Sequence, residues 1–289
     1  MSKKQNSGVA ILISGASSGI GMATALLFDS LGYKVYAGIL SHEDGINLIS
    51  KASKNLVPVI LDVTNPDTIN HLKSLIDNEL QHITRFILFN NCGIAKASPL
   101  ELQEMSEIRL HFEINYFGMV SMIKAFLPIL RSKNGRIINT CSISGVSSMP
   151  FTAAYCSSKF AVEGLADALR LELKPWNIHV SNILPGDIRT EIWQKAVDDI
   201  DSKTKKWTDS DKLLYGPIAE FMKDEIRKVR GSRAEVVAKE VLKLVNAKNP
   251  KARVFVGQKV IFYRILESLP TKLRDKLVGM MIPKYGYDT

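Results

Sequence analysis

From Val9 onward, short runs of apolar and β-branched residues alternate with stretches whose apolar positions recur every three or four residues. Unbroken or period-2 apolar runs bounded by turn residues indicate strands, and the 3.6-residue repeat indicates amphipathic helices. Strands are read at Val9–Ser14, Lys34–Ile39, Val57–Leu61, Phe86–Asn90, Arg136–Cys141, His179–Leu184 and Arg253–Val256. Helices are expected near Ile20–Leu31, Thr68–Asn78, Ile108–Leu130 and Ala154–Leu173. This alternation predicts an α/β fold: a doubly wound, mostly parallel sheet with helices on both faces. After Pro185 the alternation lapses, and residues 187–231 mix Trp193, Trp207, Leu213, Leu214, Phe221 and Met222 with many charges, as expected of an insertion that covers something. Ser232, with Glu235 three residues on, has capping-box spacing and predicts the start of a helix running to Asn246. No repeat or linker divides the chain, so residues 1–289 read as one domain with a covering segment at 187–231 and a helical C-terminal extension at 258–289.

Composition narrows the class. Hydrophobic residues make up 46% and charged residues 23% of the chain, enough for a sizeable core and against disorder. No apolar run is long enough to span a bilayer or to form a signal-peptide core, which predicts an intracellular, cytoplasmic protein. The three cysteines, Cys92, Cys141 and Cys156, have neither disulfide-framework nor zinc-knuckle spacing, and the five histidines form no clamping pair, so no metal is expected. The net charge of +9 raises nucleic acid as a partner, but 17 Lys+Arg face 16 Asp+Glu up to residue 194 and 21 face 13 from residue 195. The basic excess therefore belongs to the C-terminal third, where it interleaves with acids as on a solvated face. Nucleic-acid binding is not expected.

The first strand runs directly into Ser14-Gly15-Ala16-Ser17-Ser18-Gly19-Ile20-Gly21, after which a helix opens. A dinucleotide pyrophosphate can rest on a helix N-terminus only where backbone approaches closely, and Gly15, Gly19 and Gly21 remove side chains at those points. A tight βα connection has the same composition; the position after the first strand favours binding. Asp62 and Val63 follow the third strand, where a carboxylate could accept from an adenine amino group or cap the next helix. Asn90-Asn91-Cys92-Gly93 closes the fourth strand, with amides suited to holding strand ends together and a glycine that lets a cofactor pass.

Of the eight tyrosines, only Tyr155 has a lysine four residues later within a helical pattern, Lys159. Four residues advance about 400°, so both side chains leave one face. Such a pair is often a surface contact, yet Ser142 stands on the preceding strand end, where α/β sheets place ligands. The chemistry suggested is proton transfer coupled to hydride transfer. A tyrosine base working near neutral pH needs a shift of about three units, or about 4 kcal/mol. An ammonium about 5 Å away supplies roughly 3 kcal/mol at an effective dielectric of about 20. The positive ring of an oxidised nicotinamide would supply the rest, and Ser142 would hydrogen-bond the substrate oxygen.

With Ser14 to Gly21, Asn90 to Gly93, Asn115, Ser142, Tyr155, Lys159 and Pro185-Gly186 occurring together, the chain resembles the short-chain dehydrogenase/reductase family over about residues 8–190. The resemblance implies a catalytic tetrad of Asn115, Ser142, Tyr155 and Lys159, with Asn115 holding a water that relays protons to Lys159. It implies that Lys159 binds the nicotinamide ribose and that Pro185-Gly186 with Thr190 embraces the nicotinamide end. Cys92 stands where the family usually has Ala, and Cys141 where a second Ser is common; the first makes the adenine pocket slightly tighter. The second strand ends Gly38-Ile39-Leu40-Ser41-His42, with neither the acid that selects NAD nor the arginine that favours NADP. With no cation awaiting the extra phosphate, NAD is the expected cofactor of the two.

Val35-Tyr36-Ala37-Gly38 and Leu266 to Met281 are similar to the retinol and hydroxysteroid dehydrogenase branch, which implies a lipophilic secondary alcohol or ketone of steroid, retinoid or fatty type. Phe151, Trp193, Phe221 and Met222 are candidate wall residues. A reductase of carrier-bound 3-oxoacyl chains and a non-catalytic dinucleotide-sensing protein remain as alternatives. Val260 to Ile282 alternates Leu, Ile and Met with Lys and Arg, a pattern suited to resting on a membrane surface, to core packing or to a subunit contact. A homo-oligomer is expected.

Overall fold

The computed structural model describes residues 8–282. The strands are β1 (Val9–Ile13), β2 (Lys34–Ile39), β3 (Leu56–Ile60), β4 (Arg85–Asn90), β5 (Arg136–Thr140), β6 (His179–Pro185), β7 (Ile188–Arg189), β8 (Ser232–Arg233) and β9 (Arg253–Val256). The helices are α1 (Gly19–Ser30), α2 (His42–Ile49), α3 (Pro66–Glu79), α4 (Met105–Phe112), α5 (Gly118–Ser132), α6 (Ala153–Glu172), α7 (Ile192–Thr204), α8 (Asp209–Arg227), α9 (Ala234–Asn246), α10 (Val260–Glu267) and α11 (Thr271–Met281).

Among the described residues, seven strands form one sheet in the order β3-β2-β1-β4-β5-β6-β9, every neighbouring pair parallel. Parallel strands buried on both faces read as unbroken apolar runs, and alternate residues serve opposite layers. Ala10 and Leu12 of β1 and Phe86 and Leu88 of β4 pack with α3, α5 and α6, while Ile11, Ile13, Ile87 and Phe89 pack with α1, α2 and α9. The order reverses between β1 and β4, so the crevice at their carboxyl ends is the place where open α/β sheets bind ligands.

Four features depart from the sequence reading. The eight-residue α2 went unread; Ser41 caps it, its Oγ accepting from Asp44 N at 3.2 Å. The single helix expected over Ile108–Leu130 is interrupted by a π-helical turn, Glu113–Phe117, which separates α4 from α5 and carries Asn115. The capping box at Ser232 does not form: Ser232 belongs to β8, its N–H donates to Asp187 O at 2.9 Å, and Arg233 occupies the cap of α9 without a side-chain hydrogen bond. Residues 187–231 hold the helices α7 and α8, and their two ends are clamped together by the parallel β7–β8 pair, Ile188 opposite Ser232.

Candidate active site

The turn between β1 and α1 is shaped by backbone needs. Gly15 and Gly19 adopt φ of +67° and +53°, a region costly for residues with a Cβ. A Cβ on Gly21 would overlap the Gly15 carbonyl oxygen and come within 2.7 Å of Asn91 Nδ2. Ser18 is the N-cap of α1 but makes no side-chain cap, and no acid stands in the first turn, so the amides there have no side-chain acceptor from the cap. Open N–H groups at a glycine-lined helix start fit a pyrophosphate. Ser17 and Ile20 are half-buried beside it, and Thr190 Cγ2 lies 3.1 Å from where a Gly19 Cβ would sit. The structure thus brings Thr190 against the phosphate turn.

Strand ends are stitched to that turn. Ser14 Oγ accepts from Asn91 N at 3.0 Å and Cys92 N at 3.1 Å. Asn91 Nδ2 donates to the carbonyls of Ser14 and Gly15 at 3.2 and 2.9 Å, and Thr140 Oγ1 donates to Asn91 Oδ1 at 3.2 Å. Thr140 O in turn accepts from Lys159 Nζ at 3.1 Å. A continuous hydrogen-bonded path therefore links the turn to the lysine of α6. Gly93 makes room for it: a Cβ there would lie 3.4 Å from Lys159 Nζ and 3.1 Å from Asn115 Oδ1.

Asn115, fully buried, accepts from Ile94 N at 2.8 Å and donates to Ile94 O and Ser158 Oγ, both at 3.0 Å. Both amide hydrogens are spent, so a water held there would have to donate to an oxygen. Asp62 neither caps α3, a task Asn65 performs with Oδ1 accepting from Asp67 N, nor stands free: its Oδ1 accepts from Thr64 N and Oγ1 at 2.9 and 2.7 Å. The Val63 side chain is buried against Gly118 of α5, so its backbone is what remains for the crevice. Pro185 ends β6, and α10 starts beside Gly186, where a Cβ would come within 2.9 Å of Val260 Cγ1.

Ser142, Tyr155 and Lys159 converge at the carboxyl end of β5. Ser142 Oγ accepts from Ser144 N at 3.0 Å and hydrogen-bonds Tyr155, and Lys159 Nζ lies 6.0 Å from the Tyr155 ring centre. Burial dominates the electrostatics. It pushes the Tyr155 phenol above its ordinary value, and the Ser142 hydrogen bond pulls it only part of the way back. Burial also lowers Lys159, against the opposing pull of Cys141 and Cys92. The net shift of the phenol is thus upward, opposite in direction to the one a tyrosine base needs. Burial likewise pushes the Cys92 and Cys141 thiols up, away from the reactive thiolate.

The structure adds one constellation that sequence reasoning missed. Asn90, Asn139, Asn182 and Arg253 occupy one rung across β4, β5, β6 and β9. Asn90 Nδ2 donates to Asn139 Oδ1 and Asn139 Nδ2 to Asn182 Oδ1, each at 3.0 Å. Asn182 Nδ2 donates to Glu163 Oε1 at 2.7 Å and Arg253 Nε to Glu163 Oε2 at 2.5 Å. Glu163 follows Lys159 by one turn of α6, so this rung anchors the helix that presents Tyr155 and Lys159. The available signal was a lone amide in each apolar strand, since a buried amide must find a partner.

The segment holding α7 and α8 packs on Ala97 through Ile200, Trp207, Ala219, Met222 and Ile226, around a gap of about 10 Å³. Lys203 bridges Glu107 at 2.5 Å and Asp199 at 2.7 Å, and Lys96 reaches Asp199 at 3.1 Å, tying the pair of helices to the body. Of the expected wall residues, Met222 lines this gap. Trp193 is turned back, its Nε1 donating to Ile188 O at 2.6 Å, and Phe151 O accepts from Ser98 N at 2.8 Å. Phe221 is half-buried outside the cluster. No group of three or more metal-ligating side chains occurs among the described residues.

A parallel sheet with a glycine cradle at its switch point and a tyrosine–lysine pair beside it defines a dinucleotide-dependent oxidoreductase. The model of the family described as short chain dehydrogenase matches residues 9–201. The chain is 32% identical to 3-ketodihydrosphingosine reductase from Bacteroides thetaiotaomicron over 91% of its length and 94% of that protein. It is 32% identical to the NADPH-dependent 3-dehydrocapnine reductase of Ornithobacterium rhinotracheale over 92% and 94%, and 29% identical to estradiol 17-beta-dehydrogenase 2 of Mus musculus over 93% and 74%. A short chain dehydrogenase from Burkholderia cenocepacia, solved in complex with NADP, superposes with a TM-score of 0.71 at 25% identity, covering 96% of this chain and 99% of that one. The chain belongs to the short-chain dehydrogenase family and is an NAD(P)-dependent oxidoreductase.

Proposed function

We propose that the protein interconverts a lipophilic secondary alcohol and its ketone. The observation that carries this reading is the convergence of Ser142, Tyr155 and Lys159 on the crevice that the Gly15–Gly21 turn opens. Ser142 Oγ accepts from Ser144 N and shares a hydrogen bond with Tyr155, so a substrate oxygen seated between them would take over the Ser142 hydrogen. The Tyr155 oxygen is the atom that takes the hydroxyl proton during oxidation and returns it during reduction. A nicotinamide held in this crevice would supply the hydride chemistry that the Ser142 and Tyr155 oxygens serve. Lys159 is held by Thr140 O on one side and has its remaining hydrogens for the nicotinamide ribose. Asn115 positions Ile94 and, through Ser158, the first turns of α6. The cradle of Ser14, Gly15, Ser17, Ser18, Gly19, Ile20, Gly21 and Thr190 would hold the pyrophosphate. Asp62 and Val63 would border the adenine, Asn91 and Gly93 the ribose path, and Pro185 and Gly186 the nicotinamide.

The lipophilic class is supported by the apolar packing of α7 and α8 and by relatives named for 3-ketodihydrosphingosine and for estradiol. NAD is the proposed preference, since Ala16 N donates to Gly38 O and so ties the turn to the end of β2, where residues 38–42 offer no Lys or Arg. Turnover of 3-keto sphingoid bases, steroids, retinoids and medium-chain ketones, measured with NAD(H) and NADP(H) for the parent and Tyr155→Phe, tests all of this. General acid–base help of this kind is worth about 10² to 10⁴ in rate, so the variant should lose at least that while still binding dinucleotide. A parent inactive on the whole panel, or an undiminished Tyr155→Phe, overturns the reading.

A further inference from the structure

Beyond the active site, the surface of α10 and α11 exposes a run of large apolar side chains. On α10, Ile261 and Ile265 lie one helical turn apart and are 71% and 60% exposed, with Phe262 beside them at 45%. On α11, Leu273, Met280 and Met281 are 46%, 65% and 47% exposed, and none of its residues is buried. Seven residues span nearly two turns, so Leu273 and Met280 share one side, with Lys272 and Lys276 flanking it. Residues 259–282 carry five Lys/Arg against two acids, part of the basic excess that the C-terminal third holds. A helix with an apolar stripe edged by lysines is built to lie in a headgroup layer.

We infer that α10 and α11 form a docking surface for an anionic lipid bilayer, with Ile261, Phe262, Ile265 and Met280 entering the acyl boundary and Lys272 and Lys276 meeting the headgroups. Charge decides between this occupant and a second copy of the chain. With five Lys/Arg against two acids in residues 259–282, a self-contact would bring two net-positive faces together, whereas anionic headgroups offer the opposite sign. The surface also adjoins the site, because α10 begins at the wall of Gly186. No described helix is long and apolar enough to cross a membrane, so the contact is peripheral.

Flotation of the full chain with phosphatidylcholine vesicles, with and without phosphatidylglycerol, tests the inference alongside two double variants, Ile261→Ser/Ile265→Ser and Lys272→Gln/Lys276→Gln. All four side chains are exposed, so unfolding midpoints should match the parent. The parent should float with the anionic vesicles and less with the neutral ones. Each neutralised lysine should lower the partition coefficient about fivefold, about 25-fold for the pair, and the serine variant should stay in the dense fraction. A parent that floats with neither vesicle, or a variant that floats as well as the parent, overturns the inference. So does sedimentation showing a dimer that the serine variant dissociates, which would give the face to a second copy.

Discussion

Removing the Glu163 carboxylate should loosen the helix that carries the reacting pair, and the structure sets the size of the effect. In Glu163→Ala, the buried Asn182 Nδ2 loses its acceptor, which costs about 1–3 kcal/mol. Arg253 loses a partner too, but it is about a third exposed and keeps Asp167 at 2.7 Å, so that loss adds at most about 1 kcal/mol. The total is about 1–4 kcal/mol. With an unfolding entropy of about 2.1 cal/mol/K per residue, a chain of 289 residues loses about 2–7 °C of Tm. Asp167→Ala is the control: it meets the same arginine but is half-exposed and touches no amide of the rung, so it should cost less than about 1 kcal/mol. Glu163→Gln keeps an oxygen for Asn182 and should recover most of the loss. Thermal unfolding of the three variants, with kcat measured on each, makes the comparison. Equal shifts for Glu163→Ala and Asp167→Ala would show that the arginine pairing, not the amide rung, holds α6; an unchanged Tm in Glu163→Ala would refute the reasoning outright.

Three further outcomes are expected. Gly21→Ala forces a methyl group into the Gly15 carbonyl and should weaken dinucleotide binding about tenfold or more, read by titrating reduced-cofactor fluorescence. Burial raises Glu79, but hydrogen bonds from Lys34 and Tyr36 outweigh it and hold the carboxyl below its ordinary 4.5. A depressed carboxylate contributes stability that is present above its unfolded value and lost as pH falls through the folded one, so Glu79→Gln should be less stable than the parent at neutral pH and converge with it below about pH 4 in thermal melts. Lys203→Met leaves Glu107 and Asp199 without their shared cation and should speed proteolytic cleavage within residues 187–231 while leaving the sheet intact, as mass analysis of the fragments would show.

The positions of the strands and the one-turn spacing of Tyr155 and Lys159 were legible because each is written locally. The glycine turn follows its strand directly, and Tyr155 and Lys159 are separated by one turn of the helix that holds them both. What stayed hidden depends on distant partners. Ser232 has the spacing of a helix cap, but its N–H is taken by Asp187, 45 residues earlier in the chain, and no local pattern reveals that competition. The break at Asn115 was hidden for a similar reason: Ile94, from the loop after β4, takes two positions on the amide and Ser158 a third, which no local pattern shows. The short α2 has Gly45 at its centre and too few periodic positions to stand out, and the closeness of Gly45 to Ile39 and Pro58 explains the glycine only once the fold is known.

The electrostatics of the site follow from the same burial that makes the fold. Tyr155 is half-buried and Lys159 buried, and burial raises the phenol and lowers the amine. On the proposed reading, the phenol would lose its proton more readily with a positive charge nearby, as an oxidised nicotinamide would bring and a reduced one would not, so proton acceptance would be tied to the oxidised cofactor. The rate of alcohol oxidation should consequently rise with pH along a single titration that moves upward when Ser142→Ala removes the one hydrogen bond pulling the phenol down.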